Sequence, residues 1–253
     1  MIPCRLLLFL SLIIATNAAA QEFDQAHPSY AKVLTKCVSN GQVDYAGLKA
    51  APQDLDAYLN ELTAVRPEVF ASWSKDQRLA LLLNLYNAWT LRLIIDHYPL
   101  KSIRDIGFLP LAAWRKQLVR FGGQIMTLDH LENKIIRAEY GEPRTHFALV
   151  CAAKGCPPLR AEPYVGEHLG TQLDDQTKQF LAAKEKNRFE AETDTLWLSP
   201  IFKWYQSDFT DAAETLEAYV RPFLPEPAGQ ELARSSKVRV RFTDYDWSLN
   251  DAP

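Results

Sequence analysis

A histidine, two cysteines five positions apart and a lysine fall in the run HFALVCAAKGCPP at 146–158 of this 253-residue chain. These residue types can attack a carbonyl, move a proton, pair as a disulfide or bind a metal. Phe147 and the apolar residues up to Val150 predict a short buried strand. Lys154-Gly155 followed by Pro157-Pro158 predicts a turn at its end. On a regular strand His146 and Cys151 point to opposite faces, about 16 Å apart. Cys156 lies beyond the turn and can fold back, so a His–Cys dyad would use His146 with Cys156.

Three readings of this cluster stay open. Cys151 and Cys156 can close a small disulfide loop, favoured by their proximity. One of them can be a nucleophile, activated by His146 or lowered in pKa by Lys154. His146, Cys151 and Cys156 can bind zinc with one position open, although no C-x-x-C or H-x-x-x-H spacing accompanies them.

The element best able to position such a cluster is a helix over 74–98, nearly all apolar and therefore central to a core. Ser74 and Gln77 predict its capping box, and Pro99 its end. Asn84 and Asn87 share one of its faces. Their amides either tie the helix to a neighbouring segment or point into a cleft, where the Tyr86 hydroxyl could join them. Near the C-terminus stands YDWSLN, in which Asp246 can orient a histidine or cap a turn and Trp247 packs the chain end or lines a site.

Further helices are predicted at 29–38, 55–62, 165–186 and 211–220, and one opened by an Asp129/Glu132 box and closed by Gly141. A hairpin is predicted at 118–128 around Gly122-Gly123, paired strands at 188–198 and a late strand at 238–242. The 222–227 stretch reads as a turn, and residues 200–205 as packed aromatic surface. Helices mostly precede strands, so the expectation is one α+β domain with helices around a small, largely antiparallel sheet.

Residues 1–20 read as a signal peptide: Arg5, an apolar run from Leu6, then small residues. The run is too short to span a bilayer comfortably, which leaves 21–253 as a single exported, periplasmic domain without stable membrane insertion. Hydrophobic content of 47% suits a globular chain. The formal charge of −3 becomes one unit more negative once Arg5 is removed, which argues against nucleic acid or an anionic membrane as partner. Cys37, Cys151 and Cys156 remain, an odd count that leaves a thiol free or paired between chains. No dinucleotide, phosphate-loop, nucleophile-elbow or H-E-x-x-H motif is present, so no cofactor is expected.

Three segments, NLYNA at 84–88, HFALVCAAKGCPPL at 146–159 and YDWSLN at 245–250, together resemble the bacterial branch of the domain of unknown function 547 family. That resemblance marks Asn84, Asn87, His146, Cys151, Cys156 and Asp246, and implies no reaction. A looser similarity in chain order, core helix then strand histidine then late acid, is to the papain/transglutaminase-like fold, although Asn87 stands where a nucleophile would be. The leading expectation is an exported, non-catalytic binding or accessory module for a small-molecule or peptide ligand. Its cleft would be lined by Asn84, Asn87, His146, Cys156 and Asp246, with Cys151–Cys156 a disulfide. The alternative is a cysteine-type acyl hydrolase or transferase using Cys156 or Cys151 with His146.

Overall fold

The computed structural model describes residues 23–252; the leader read at 1–20 lies outside the described residues. The first half comprises α1 (Pro28–Cys37), the hairpin β1 (Val38–Ser39) and β2 (Gln42–Val43), α2 (Tyr45–Ala50), α3 (Gln53–Ala64), α4 (Pro67–Ser72) and α5 (Lys75–His97). A second hairpin, β3 (Val119–Phe121) and β4 (Gln124–Met126), follows. Then α6 (Leu128–His130), a π-helical stretch Leu131–Ile136 and α7 (Arg137–Tyr140) run on as one helix. The remainder comprises α8 (Thr145–Ala148), α9 (Leu169–Leu181), β5 (Arg188–Glu190), β6 (Thr195–Leu198), α10 (Pro200–Trp204), α11 (Gln206–Ala213), α12 (Leu216–Val220), α13 (Ala228–Arg234) and β7 (Arg239–Phe242). The fold is thus α+β, with its strands in three small sheets rather than one. Every ladder is antiparallel except β6 with β7.

The core helix forms as its sequence requires. The Ser74 hydroxyl accepts the Gln77 N–H, and the Gln77 side chain accepts the Ser74 N–H in return. Leu79, Leu81, Leu82, Leu83, Leu85 and Leu91 are all buried, on every side of α5. Each such side chain removed from water stabilises the fold by about 1.5–3 kcal/mol. Around α5 lies the first of two hydrophobic cores; the second fills the space between β5–β7, the end of α9 and α10–α12. The cores meet at α8, where Phe147 packs into the second while Ala148, Leu149 and Val150 pack into the first.

The expected strand at 147–150 is instead the helical turn α8 and an extended exit from it. Leu149 N–H bonds Thr145 O, which closes the turn. The next backbone groups find their partner on α5: Asn87 Nδ2 donates to Ala148 O at 2.9 Å and its Oδ1 accepts Val150 N–H at 3.0 Å. Asn84 grips Tyr164 in the same way, at 2.7 Å and 2.9 Å. The helix predicted over 211–220 breaks at Glu214 (φ 64°), because the Thr215 hydroxyl caps a new helix there by accepting the Ala218 N–H. The predicted Asp129/Glu132 box is replaced by Thr127, whose hydroxyl accepts the His130 N–H.

Asn87→Ala leaves two buried backbone groups without partners and is expected to cost on the order of 2–4 kcal/mol. Urea unfolding measures this; a loss below about 0.5 kcal/mol, the range of an ordinary surface change, would show that the clamp holds nothing.

Candidate functional site

A cleft of about 370 Å³ opens beside the seam between the two cores. Trp114, Trp204, Tyr205, Tyr245 and Trp247 supply aromatic wall, Cys151 and Cys156 lie against it, and Tyr86, Asp129, Glu132, Asn133 and His146 bring polar groups. Most of it is rigid by construction. The turn carrying the cysteines is laced to the C-terminal strap by Lys154 N–H to Ser248 O and Gly155 N–H to Asp246 O, both 2.8 Å, and by Asn250 N–H to Ala152 O at 3.0 Å. The approach is so close that a Cβ on Gly155 would lie 2.9 Å from Asp246 N. Ala152 holds the left-handed conformation (φ 58°), which is costly for a residue with a side chain and turns the chain back toward Cys156.

The two thiols are unbonded, with sulfurs 2.8 Å apart. Cys151 donates to Cys156 Sγ through its S–H and again through its backbone N–H, at 2.9 Å. Burial pushes the Cys156 thiol up, but these two hydrogen bonds, the Tyr245 hydroxyl and the Lys186 charge outweigh it, and the net shift is downward. The bond it donates to Cys156, then burial, push Cys151 well up. Cys156 is therefore the sulfur set up to carry negative charge, and Cys151 the one that keeps its proton. Burial pushes Cys37, in the first core, up to about 11.

A second polar network faces the same cleft. His146 Nε2 donates to Asp208 Oδ2 at 2.8 Å, and Arg137 grips both oxygens of Asp208, also at 2.8 Å. The hydrogen bond from His146 holds Asp208 well below the usual carboxylate range against the opposing effect of burial, with Arg137 adding to it. The His146 ring stacks on Tyr205 with centroids 3.9 Å apart. Glu132 accepts the hydroxyls of Tyr86 at 3.0 Å and Tyr205 at 2.7 Å. Burial and the Glu132 charge push both phenols up, so they stay protonated donors. Glu132 sits within the π-helical stretch, a distortion that often accompanies functional sites.

Of the residues marked by sequence, His146, Cys151, Cys156, Tyr86 and Trp247 line the cleft together. Asn84 and Asn87 do not; their amides are fully engaged with backbone. His146 stands on a helical turn, makes no hydrogen bond to either cysteine, and takes Asp208 as its carboxylate. Asp246 is exposed and caps a turn by accepting the N–H and hydroxyl of Ser248. Lys154 is also exposed, and the lysine beside Cys156 is Lys186, whose Nζ donates to Cys156 O at 3.0 Å. Among the described residues no group of three or more His, Cys, Asp or Glu could hold a metal ion. Sequence reasoning missed Asp208, Arg137, Lys186 and Tyr205, for which no motif exists. Glu132 was read only as a helix cap.

A depressed carboxylate stabilises the fold above its unfolded pKa, about 4, and loses that contribution as pH falls below it. Asp208→Asn is expected to destabilise the protein by about 1–3 kcal/mol at neutral pH. Chemical denaturation should show the gap from wild type closing as the medium is acidified below pH ~4. A gap that is the same in acid and at neutral pH would mean that the charge of Asp208 is not what holds His146 and Arg137.

No curated protein and no solved structure matches the chain. Residues 70–181 match the model of a family described as "Protein of unknown function, DUF547". The YDWSLN segment lies beyond that match. Over the segment that carries α5, the π-helical turn and both cysteines of the cleft, the chain resembles the DUF547 family.

Proposed function

We propose that the protein is a cysteine-type acyl hydrolase or transferase with Cys156 as nucleophile. The observation that carries this is the set of donors converging on Cys156 Sγ, which stabilises a thiolate in a cleft large enough for a small-molecule or peptide group. The thiolate attacks the acyl carbon, a sulfur–carbon bond forms, and the bond to the leaving group breaks. With its Nε2 proton held by Asp208, His146 has Nδ1 as its basic nitrogen, which makes no hydrogen bond among the described residues. As Cys156 becomes a thiolate its proton crosses the cleft to His146 Nδ1, which hands it to the leaving group. The same nitrogen then takes a proton from the water or acceptor that cleaves the thioester and returns it to the departing Cys156 sulfur. Export belongs to the same proposal and rests on the leader read at 1–20.

A second reading is favoured by the 2.8 Å approach of the two sulfurs: in an oxidising compartment they pair, and the cleft binds without covalent chemistry. Alkylation of the purified protein, followed by mass spectrometry across a pH series, separates the two. The enzyme reading expects Cys156 to label without prior reduction, with a midpoint below the free-thiol value of about 8.5. It also expects Cys151→Ser to change that midpoint, and Cys37 to label far more slowly. Labelling of Cys151 and Cys156 only after reduction supports the binding module. Labelling of Cys156 no faster than Cys37 removes the nucleophile altogether.

A further inference from the structure

Between α5 and β3 the chain runs out as a finger, residues 101–116, whose apolar side chains divide into two sets. Ile103, Ile106, Ala113 and Trp114 are buried and anchor its base. Phe108, at 106% relative exposure, Leu109 at 73% and Leu111 at 50% form the tip, with Pro110 exposed between them. The display is rigid. Ser102 and Asp105 make a reciprocal cap at the base, Ala112 N–H bonds Leu109 O, and Arg115 N–H bonds Leu111 O. Gly107 (φ 88°) pinches the neck so tightly that a Cβ there would lie 2.6 Å from that of Ala112. Leu111 is itself held at a positive φ of 62°.

Contiguous large apolar groups held out in water need a partner. The charges along this finger identify which. Lys101, Arg104, Arg115 and Lys116 are exposed, and among the described residues none of them forms an ion pair. Arg104 lies over the Trp247 ring at 5.3 Å, and half-exposed Trp204 stacks on the same ring. The finger's one exposed carboxylate, Asp105, is taken up by the N–H groups of Lys101 and Ser102, so with these four cations the finger keeps a net positive charge beside its indoles. Together with the apolar tip this matches the layered polarity of an anionic lipid surface: acyl chains for the tip, headgroups for the cations, the interface for the indoles.

We propose that the finger docks the protein on anionic membrane surfaces. The net charge of −3 argues against such a partner for the chain as a whole. At physiological ionic strength, however, charges are screened beyond about 8 Å, so the local cations decide the contact. Because Leu111 and Trp114 also line the cleft, docking sets the mouth of the cleft at the headgroup level. This is surface binding; no helix among the described residues is long and apolar enough to cross a membrane.

Vesicle flotation tests it, with phosphatidylcholine vesicles that contain about one third phosphatidylglycerol, in about 0.15 M salt. The wild-type protein is expected to float with these vesicles and to be released as salt is raised. The Phe108→Ser/Leu109→Ser variant should partition about tenfold more weakly. The Arg115→Gln/Lys116→Gln variant should lose several-fold. Both replace exposed side chains, and unchanged thermal midpoints would show that the fold is intact. Failure of the wild type to float, equal binding to pure phosphatidylcholine, or binding indifferent to both variants would overturn the proposal. So would a tip variant that leaves flotation unchanged but converts an oligomer to a monomer, which would make the finger a protein contact.

Discussion

Buried side-chain amides hold this structure where its sheets are too small to do so. Asn87 and Asn84 on α5 each offer one donor and one acceptor to a stretch of backbone that has no strand beside it. Gln172 does the same between Pro163 O and Val165 N–H, and Asn187 between Phe180 O and Ser199 N–H. A buried backbone group without a partner costs about 1–3 kcal/mol, so each amide that satisfies two of them fixes a loop as firmly as a short ladder would. Asn is suited to this because its carboxamide copies the donor and acceptor of a peptide group. The turn carrying the cysteines inherits its position from the Asn87 clamp at one end and the C-terminal strap at the other.

Two polar systems share the cleft and stay separate. On one side Cys156 collects hydrogen bonds from Cys151, which lower its cost of carrying charge. On the other, Asp208 accepts hydrogen bonds from His146 and Arg137, and Glu132 accepts those of two phenols. Aromatic rings fill the space around them, and such low-polarity walls strengthen each set of interactions. A site built this way brings the Cys156 sulfur and the His146 imidazole to one cleft while each keeps its own hydrogen-bond partners.

The sequence revealed the pieces that depend on local chemistry. The capping box of α5, the hairpin around Gly122-Gly123, Gly141 as a helix stop and the 188–198 pair are all determined by residues within a few positions of each other. The clustering of His146 with the two cysteines was legible for the same reason. What escaped was set by distance in the chain. Asp208 lies 62 residues from the histidine that it holds, and its surroundings carry no motif. Lys154 stood beside the cysteines in sequence, yet the turn sends it outward and brings Lys186 in. Residues 147–150 looked like a strand because four apolar residues in a row fit a strand and a buried turn equally well. The choice between them was made by an amide 61 residues upstream.

The π-helical stretch Leu131–Ile136 places a constraint of a different kind on this chain. Its hydrogen bonds close over one more residue than those of an α-helix, which widens the turn carrying Glu132. Loss of one residue there would let the turn tighten, and everything on its N-terminal side would swing by about 100° around the helix axis. With the residue lost on the C-terminal side of Glu132, that carboxylate would leave both phenols. The chain can change letters in this turn more cheaply than it can change length.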